Sequence, residues 1–138
     1  MEKVILDKIH DSLALEIAKR FSFPAVKAGD ITANIAATPI AVAPYAGTIR
    51  QVRISLGNTG EDAANPLSIE VDVLKNGTSI FPSTTKPSLS KADADYATVV
   101  AVPDTVNFVE GDFFTYTATL TRTASPTDEM ADLVVSIE

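Results

Sequence analysis

From Ile5 to Phe21 the apolar residues follow a helical period. Ile5, Ile9, Leu13 and Ile17 step by four, and Leu6, Ala14, Ala18 and Phe21 widen the stripe. The spacing predicts an amphipathic helix within residues 1–24, supported by Glu16 and Arg20 one turn apart. Pro24 ends it, because the residue before a proline is pushed out of the α region. Beyond that point the period drops to two. Val52, Ile54 and Leu56 share one face of a run, with Arg53 and Ser55 opposite. Leu67, Ile69, Val71 and Val73 alternate with polar residues in the next, and a short run follows at Ala97–Val102. From Phe113 to Thr123, Phe114, Tyr116, Ala118 and Leu120 take one face and a row of threonines the other. Leu133, Val135 and Ile137 point inward in the last run.

Between Val71 and Phe81, Asn76-Gly77 supplies the two positive-φ positions of a type I′ turn, with alternating residues on both sides, so the segment reads as a β-hairpin. Six to eight half-buried runs joined by short turns predict a mainly β chain. The expected form is an antiparallel β-sandwich, jelly-roll or Ig-like, preceded by an N-terminal amphipathic helix. A closed barrel is the alternative. Residues 25–46 are rich in Ala, Thr, Val and Pro. They read as an extended linker or edge strand, since Pro39 and Pro44 cannot donate to a central ladder. The expected organisation is a docking segment over 1–24, that stretch over 25–46, and the sandwich over 47–138.

The length of 138 residues suits one domain and a core that needs no staples. With no cysteine, disulfides and thiolate chemistry are excluded. The formal net charge of −7 is uneven. In residues 1–23 Glu2, Asp7, Asp11 and Glu16 balance Lys3, Lys8, Lys19 and Arg20, so the whole excess falls on the β part. So acidic a domain, with its bases scattered, is not expected to bind nucleic acid. No stretch approaches the ~20 apolar residues of a membrane span. Lys8, His10 and Asp11 interrupt any signal-peptide core, so neither membrane insertion nor export by that route is expected.

Catalytic chemistry finds few candidates. His10, the single histidine, lies on the expected helix beside Asp7 and Asp11, without the positioned partner and pocket that a general base needs. There is no Gly-x-Ser-x-Gly elbow and no phosphate-cradling glycine loop. Carboxylates pair at Glu61/Asp62, Asp93/Asp95, Glu110/Asp112 and Asp128/Glu129. They could converge on calcium at the loop ends of a sandwich, but no EF-hand spacing is present, and acids at turns more often cap backbone amides. No tryptophan offers a sugar platform, and Phe114 and Tyr116 belong to the core face, which leaves Tyr45 and Tyr96 near loops for a partner. No enzymatic activity, cofactor or metal is expected.

The N-terminal stripe has two readings. It packs on its own sandwich, or Ile5, Ile9, Leu13, Ile17, Phe21 and Phe23 form an assembly interface that docks on another subunit or a neighbouring protein. A helix of about 19 residues is marginal alone, so its apolar face must be buried somewhere. Steps of four disfavour a long coiled coil.

From Gly47 onward the chain resembles a β-sandwich module of tailed-bacteriophage structural proteins. Gly47-Thr48-Ile49 opens a strand, and the hairpin from Leu67 to Phe81 carries Asp72-Val73-Leu74-Lys75-Asn76-Gly77-Thr78-Ser79-Ile80-Phe81. Val109-Glu110-Gly111-Asp112 then leads into a strand, and Ala131-Asp132-Leu133-Val134-Val135 closes the pattern. The N-terminal helix and the loop from Pro82 to Tyr96 depart from it. Such modules occur in head decoration, head fibre and tail proteins. The resemblance implies a virion protein made in the host cytoplasm. It further implies a capsid decoration (cement) protein that binds the major capsid protein at the shell surface, as a homotrimer matching the shell's local threefold axes. A fibre or adhesion module that recognises a host surface glycan or protein is the alternative.

Overall fold

The computed structural model describes residues 21–123 and 125–138. Its long strands are β1 (Phe23–Ile31), β2 (Ile35–Val42), β4 (Val52–Asn58), β5 (Ser68–Lys75), β8 (Thr98–Ala101), β10 (Phe113–Thr121) and β11 (Met130–Ile137). Short ones are β3 (Gly47–Thr48), β6 (Thr78–Ser79), β7 (Ser88–Ser90) and β9 (Asn107–Phe108). One sheet runs β1-β11-β4-β8 and the other β2-β10-β5-β6, with β7 also on β5 and β3-β9 as a separate ribbon. Every pairing is antiparallel. Successive long strands alternate between the sheets, which is jelly-roll connectivity. An Ig-like sandwich instead keeps the successive pairs A–B, D–E and F–G each within a single sheet.

Alternation explains the core. Val52, Ile54 and Leu56 of β4, Ile69, Val71 and Val73 of β5, Phe114, Tyr116 and Ala118 of β10, and Leu133, Val135 and Ile137 of β11 are all buried and form one cluster between the sheets. At the β5–β6 turn Asn76 has φ 51° and Gly77 φ 84°, as a type I′ turn requires, and Leu74↔Ser79 and Lys75↔Thr78 set the hairpin register.

Residues 1–20, and with them most of the expected helix, lie outside the described residues. Phe23 and Pro24, placed at its end by the sequence reading, belong to β1, with Phe23 opposite Ile137 and Pro24 opposite Ser136. Residues 25–46 supply an edge strand to each sheet. Pro24 and Pro39 fall on these two strands, each paired on one side only.

Candidate functional site

The two ends of the sandwich differ in chemistry. Where the chain enters, Phe21 and Phe23 are half-buried against the core, and their rings pack on each other and on Phe108. Phe23 also meets Phe114, and Phe108 stacks edge-to-face on Phe114 at 5.7 Å between centroids. Gly47, opposite Phe108 in the β3–β9 ribbon, makes room for this cluster: a methyl group there would lie 2.6 Å from the Phe108 ring.

The antiparallel track of residues 42–48 and 107–113 closes this end. Val42 pairs with Phe113, the Ala43 amide donates to the Asp112 carbonyl (2.8 Å), and the Gly111 amide donates to the Ala43 carbonyl (2.8 Å). The hairpin tip is joined to the track. The Asn76 amide donates to the Phe113 carbonyl (2.8 Å), the Asn76 side-chain oxygen accepts from the Phe113 amide (2.8 Å), and its Nδ2 donates to Asp112 (2.9 Å). The Asp112 carboxylate also accepts from the Val109 amide (2.9 Å). That amide, then Asn76 and the Lys75 charge, hold the Asp112 carboxyl below the usual aspartate value. On this rigid frame Val42 (56%), Val109 (60%), Phe113 (41%) and Tyr45 (36%) are exposed.

The opposite end is acidic. Asp30, Glu61, Asp62, Asp93, Asp95, Asp128, Glu129 and Asp132 lie on the loops and strand ends there, against Lys91 and Arg122. Most have structural partners. Asp95 accepts from the Thr59 amide (2.9 Å), Asp93 from the Ser90 amide (2.8 Å), and Asp128 from Asn58 Nδ2 (2.8 Å). Arg122 forms a two-pronged ion pair with Glu129 and holds its carboxyl below the usual glutamate value. Burial pushes the Asp62 carboxyl up, but hydrogen bonds from Thr123, Ala64 and Asn65 outweigh it and bring the net pKa down. Lys91 closes the loop by donating to the Asp62 and Asn65 carbonyls. The carboxylate pairs singled out in the sequence mostly serve as caps and braces, and among the described residues no three His, Asp or Glu side chains are grouped to hold a metal ion.

A third feature is an open cleft of about 380 Å³ on the outer face of the second sheet, lined by Ser68, Glu70, Ser88, Ser90, Asp93, Thr119 and Thr121. Thr121–Ser68–Ser90 and Thr119–Glu70–Ser88 are cross-strand rows, so hydroxyls and two carboxylates face outward with no aromatic ring among them. Such a surface can exchange hydrogen bonds with a polyol.

Of the interface residues named from sequence, Phe21 and Phe23 pack against their own domain, and Ile5, Ile9, Leu13 and Ile17 lie outside the described residues. Tyr45 and Tyr96 fall at opposite ends. The exposed Val42, Val109 and Phe113 were not anticipated. The signal for Phe113 was present, because alternation along β10 places it on the outward face with the threonines.

No protein-family model matches the sequence, and no curated protein matches it. Three solved structures are similar over most of their length. One is a chain in the acidic stable capsid structure of Helicobacter pylori bacteriophage KHP30 (13% identity, TM-score 0.45, 86% of this chain and 86% of that chain covered). Another is a chain of the cyanophage Pam1 capsid asymmetric unit (11%, 0.41, 84% and 80%). The third is the carbohydrate-binding module CBM36 in complex with calcium and xylotriose (15%, 0.38, 83% and 98%). Similarity this low carries no conclusion about function.

Proposed function

We propose that the protein is a non-enzymatic structural component of a tailed-phage virion: a decoration protein, trimeric, seated on the major capsid protein at the outer surface of the shell and stabilising it. The observation that carries this reading is the union of the two sequence stretches that resemble phage modules. The Asn76-Gly77 hairpin and the Gly111-Asp112 turn, far apart in sequence, are joined by the Asn76–Asp112 and Asn76–Phe113 hydrogen bonds into one built unit. A jelly roll with braced loops suits a role that is contact rather than chemistry. The test is co-sedimentation with mature, undecorated heads of the phage that encodes the protein. Saturable binding and a raised temperature of head rupture are expected; no binding overturns the reading.

The hydroxyl-lined cleft favours a second reading, a fibre or adhesion module for a host surface glycan. It predicts retention on host polysaccharide that is lost in Glu70→Ala and Thr119→Val. Equal retention of these variants and the unaltered protein removes it.

A further inference from the structure

The distribution of charge and apolar surface gives the molecule a direction. Nearly all of the excess negative charge lies at the end formed by the loops around Glu61, Asp93 and Asp128. At the other end Arg50 and Lys75 offset much of the local acid, and four large apolar side chains stand exposed on the track of residues 42–48 and 107–113. Exposed apolar side chains clustered on a pre-organised frame mark a contact surface, since little ordering entropy remains to be lost on binding. The chain also enters here. Phe21, the first described residue, packs on Phe108.

We infer that this end is the docking end and that its partner is a protein surface apolar at its centre and low in charge. Val42, Tyr45, Val109 and Phe113 form the contact, and the acidic end is left in solvent. The inference rests on the decoration reading above and adds which face meets the shell. The chemistry of the patch decides the partner. A strongly basic partner would be drawn to the acidic end instead, and a surface rich in acids would meet Glu110 and Asp112 at the rim of the track. The charge layout also gives the attachment a sense: shell-bound copies present their like-charged ends outward to solvent rather than into the contact.

The experiment uses the full-length protein and undecorated heads, with binding measured across NaCl concentrations. Val109→Glu and Phe113→Thr test the apolar patch. Tyr45→Ser is a third variant in case either of these melts early. Tyr96→Ser and Glu61→Lys are controls at the acidic end. Each patch variant is expected to weaken binding about tenfold or more, as loss of a buried apolar anchor does. The controls are expected to stay within about twofold, and the affinity of the unaltered protein is expected to change little between about 0.05 and 0.5 M salt, because the contact lacks charge pairs to screen. Undiminished binding by the patch variants overturns the inference while leaving the decoration reading in place. So does loss of binding in the controls, which moves the contact to the acidic end, or a steep fall with salt, which makes the contact one of charge pairs rather than of apolar surface. If light scattering shows that the patch variants lose self-association rather than head binding, the track is a seam between copies and the inference falls. Failure of the unaltered protein to bind heads removes the decoration reading and the inference with it.

Discussion

Asn76 combines two duties that are usually separate. Its backbone has φ 51°, tolerated by Asn better than by most residues, and its side-chain amide spans from the Phe113 amide to the Asp112 carboxylate. Glycine satisfies only the first duty. Asn76→Gly is therefore expected to destabilise the fold by about 1–2 kcal/mol, although glycine suits a type I′ turn, because the two side-chain hydrogen bonds to the Phe113 amide and the Asp112 carboxylate are lost. Urea unfolding measures it, and an unchanged midpoint would show that the bridge contributes nothing. Gly47 presents the complementary case. A methyl there meets the Phe108 ring at 2.6 Å, and that ring is held on other sides by Phe21, Phe23 and Phe114, so it has no free direction in which to move. Gly47→Ala is expected to cost about 1–3 kcal/mol, typical of overpacking, read from the same unfolding curves.

At the scale of elements, the legible strands were those with one clean alternating face. β4, β5, β10 and β11 are central in their sheets, so nearly all of their inward residues are apolar and buried, with Leu120 at the end of β10 only partly so, and the pattern survives in the sequence. β1 and β2 were harder to read for a physical reason. As edge strands they bury little, and the register of β1 shifts between Lys27 and Asp30, where Asp132 with φ 58° accepts from the Gly29 amide across the break (2.8 Å). That irregularity removes the period of two. Phe21 fits the helical stripe by spacing, yet Phe21, Phe23 and Ala25 also alternate and all three pack on the core, a strand signal that the preceding period of four masks. The acidic and apolar ends were not legible at all, because they are assembled from loops distant in sequence. The role of β1 gives a test. Phe23→Ala removes a ring that touches Phe21, Phe108 and Phe114. It is expected to cost about 2–3 kcal/mol, below the full range for a buried phenylalanine because Phe23 is only half-buried. A loss under about 0.5 kcal/mol would mean that the aromatic cluster does not hold the entry of the chain.

For the whole molecule, two electrostatic effects oppose each other as pH falls, and their signs fix the shape of the stability curve. The net charge of −7, gathered largely at one end, makes the folded state repel itself at neutral pH, so partial protonation of exposed acids relieves strain. Against this stand carboxyls held below their ordinary values in the fold. Asp104 is lowered by the Ser83 and Thr84 amides, Asp112 by the Val109 amide, Glu129 by Arg122 and Glu138 by Arg53, and Asp62 by hydrogen bonds that overcome its burial. A carboxyl whose folded pKa is depressed contributes stability that is fully present above its unfolded value, about 3.9 for Asp and 4.3 for Glu, and is lost as pH falls through the folded one. The unfolded chain then binds more protons than the native one, and acid draws the equilibrium toward unfolding. The melting temperature should accordingly hold level or rise slightly from pH 7 to about 5, then fall steeply below about pH 4. Added salt should raise it at pH 7, where repulsion dominates, and do so less near pH 5. Scanning calorimetry across that range checks both signs. A melting temperature that kept rising to pH 3 would mean that self-repulsion outweighs the capped carboxylates, and that the braces at Asp62, Asp104 and Asp112 shape the loops without stabilising them.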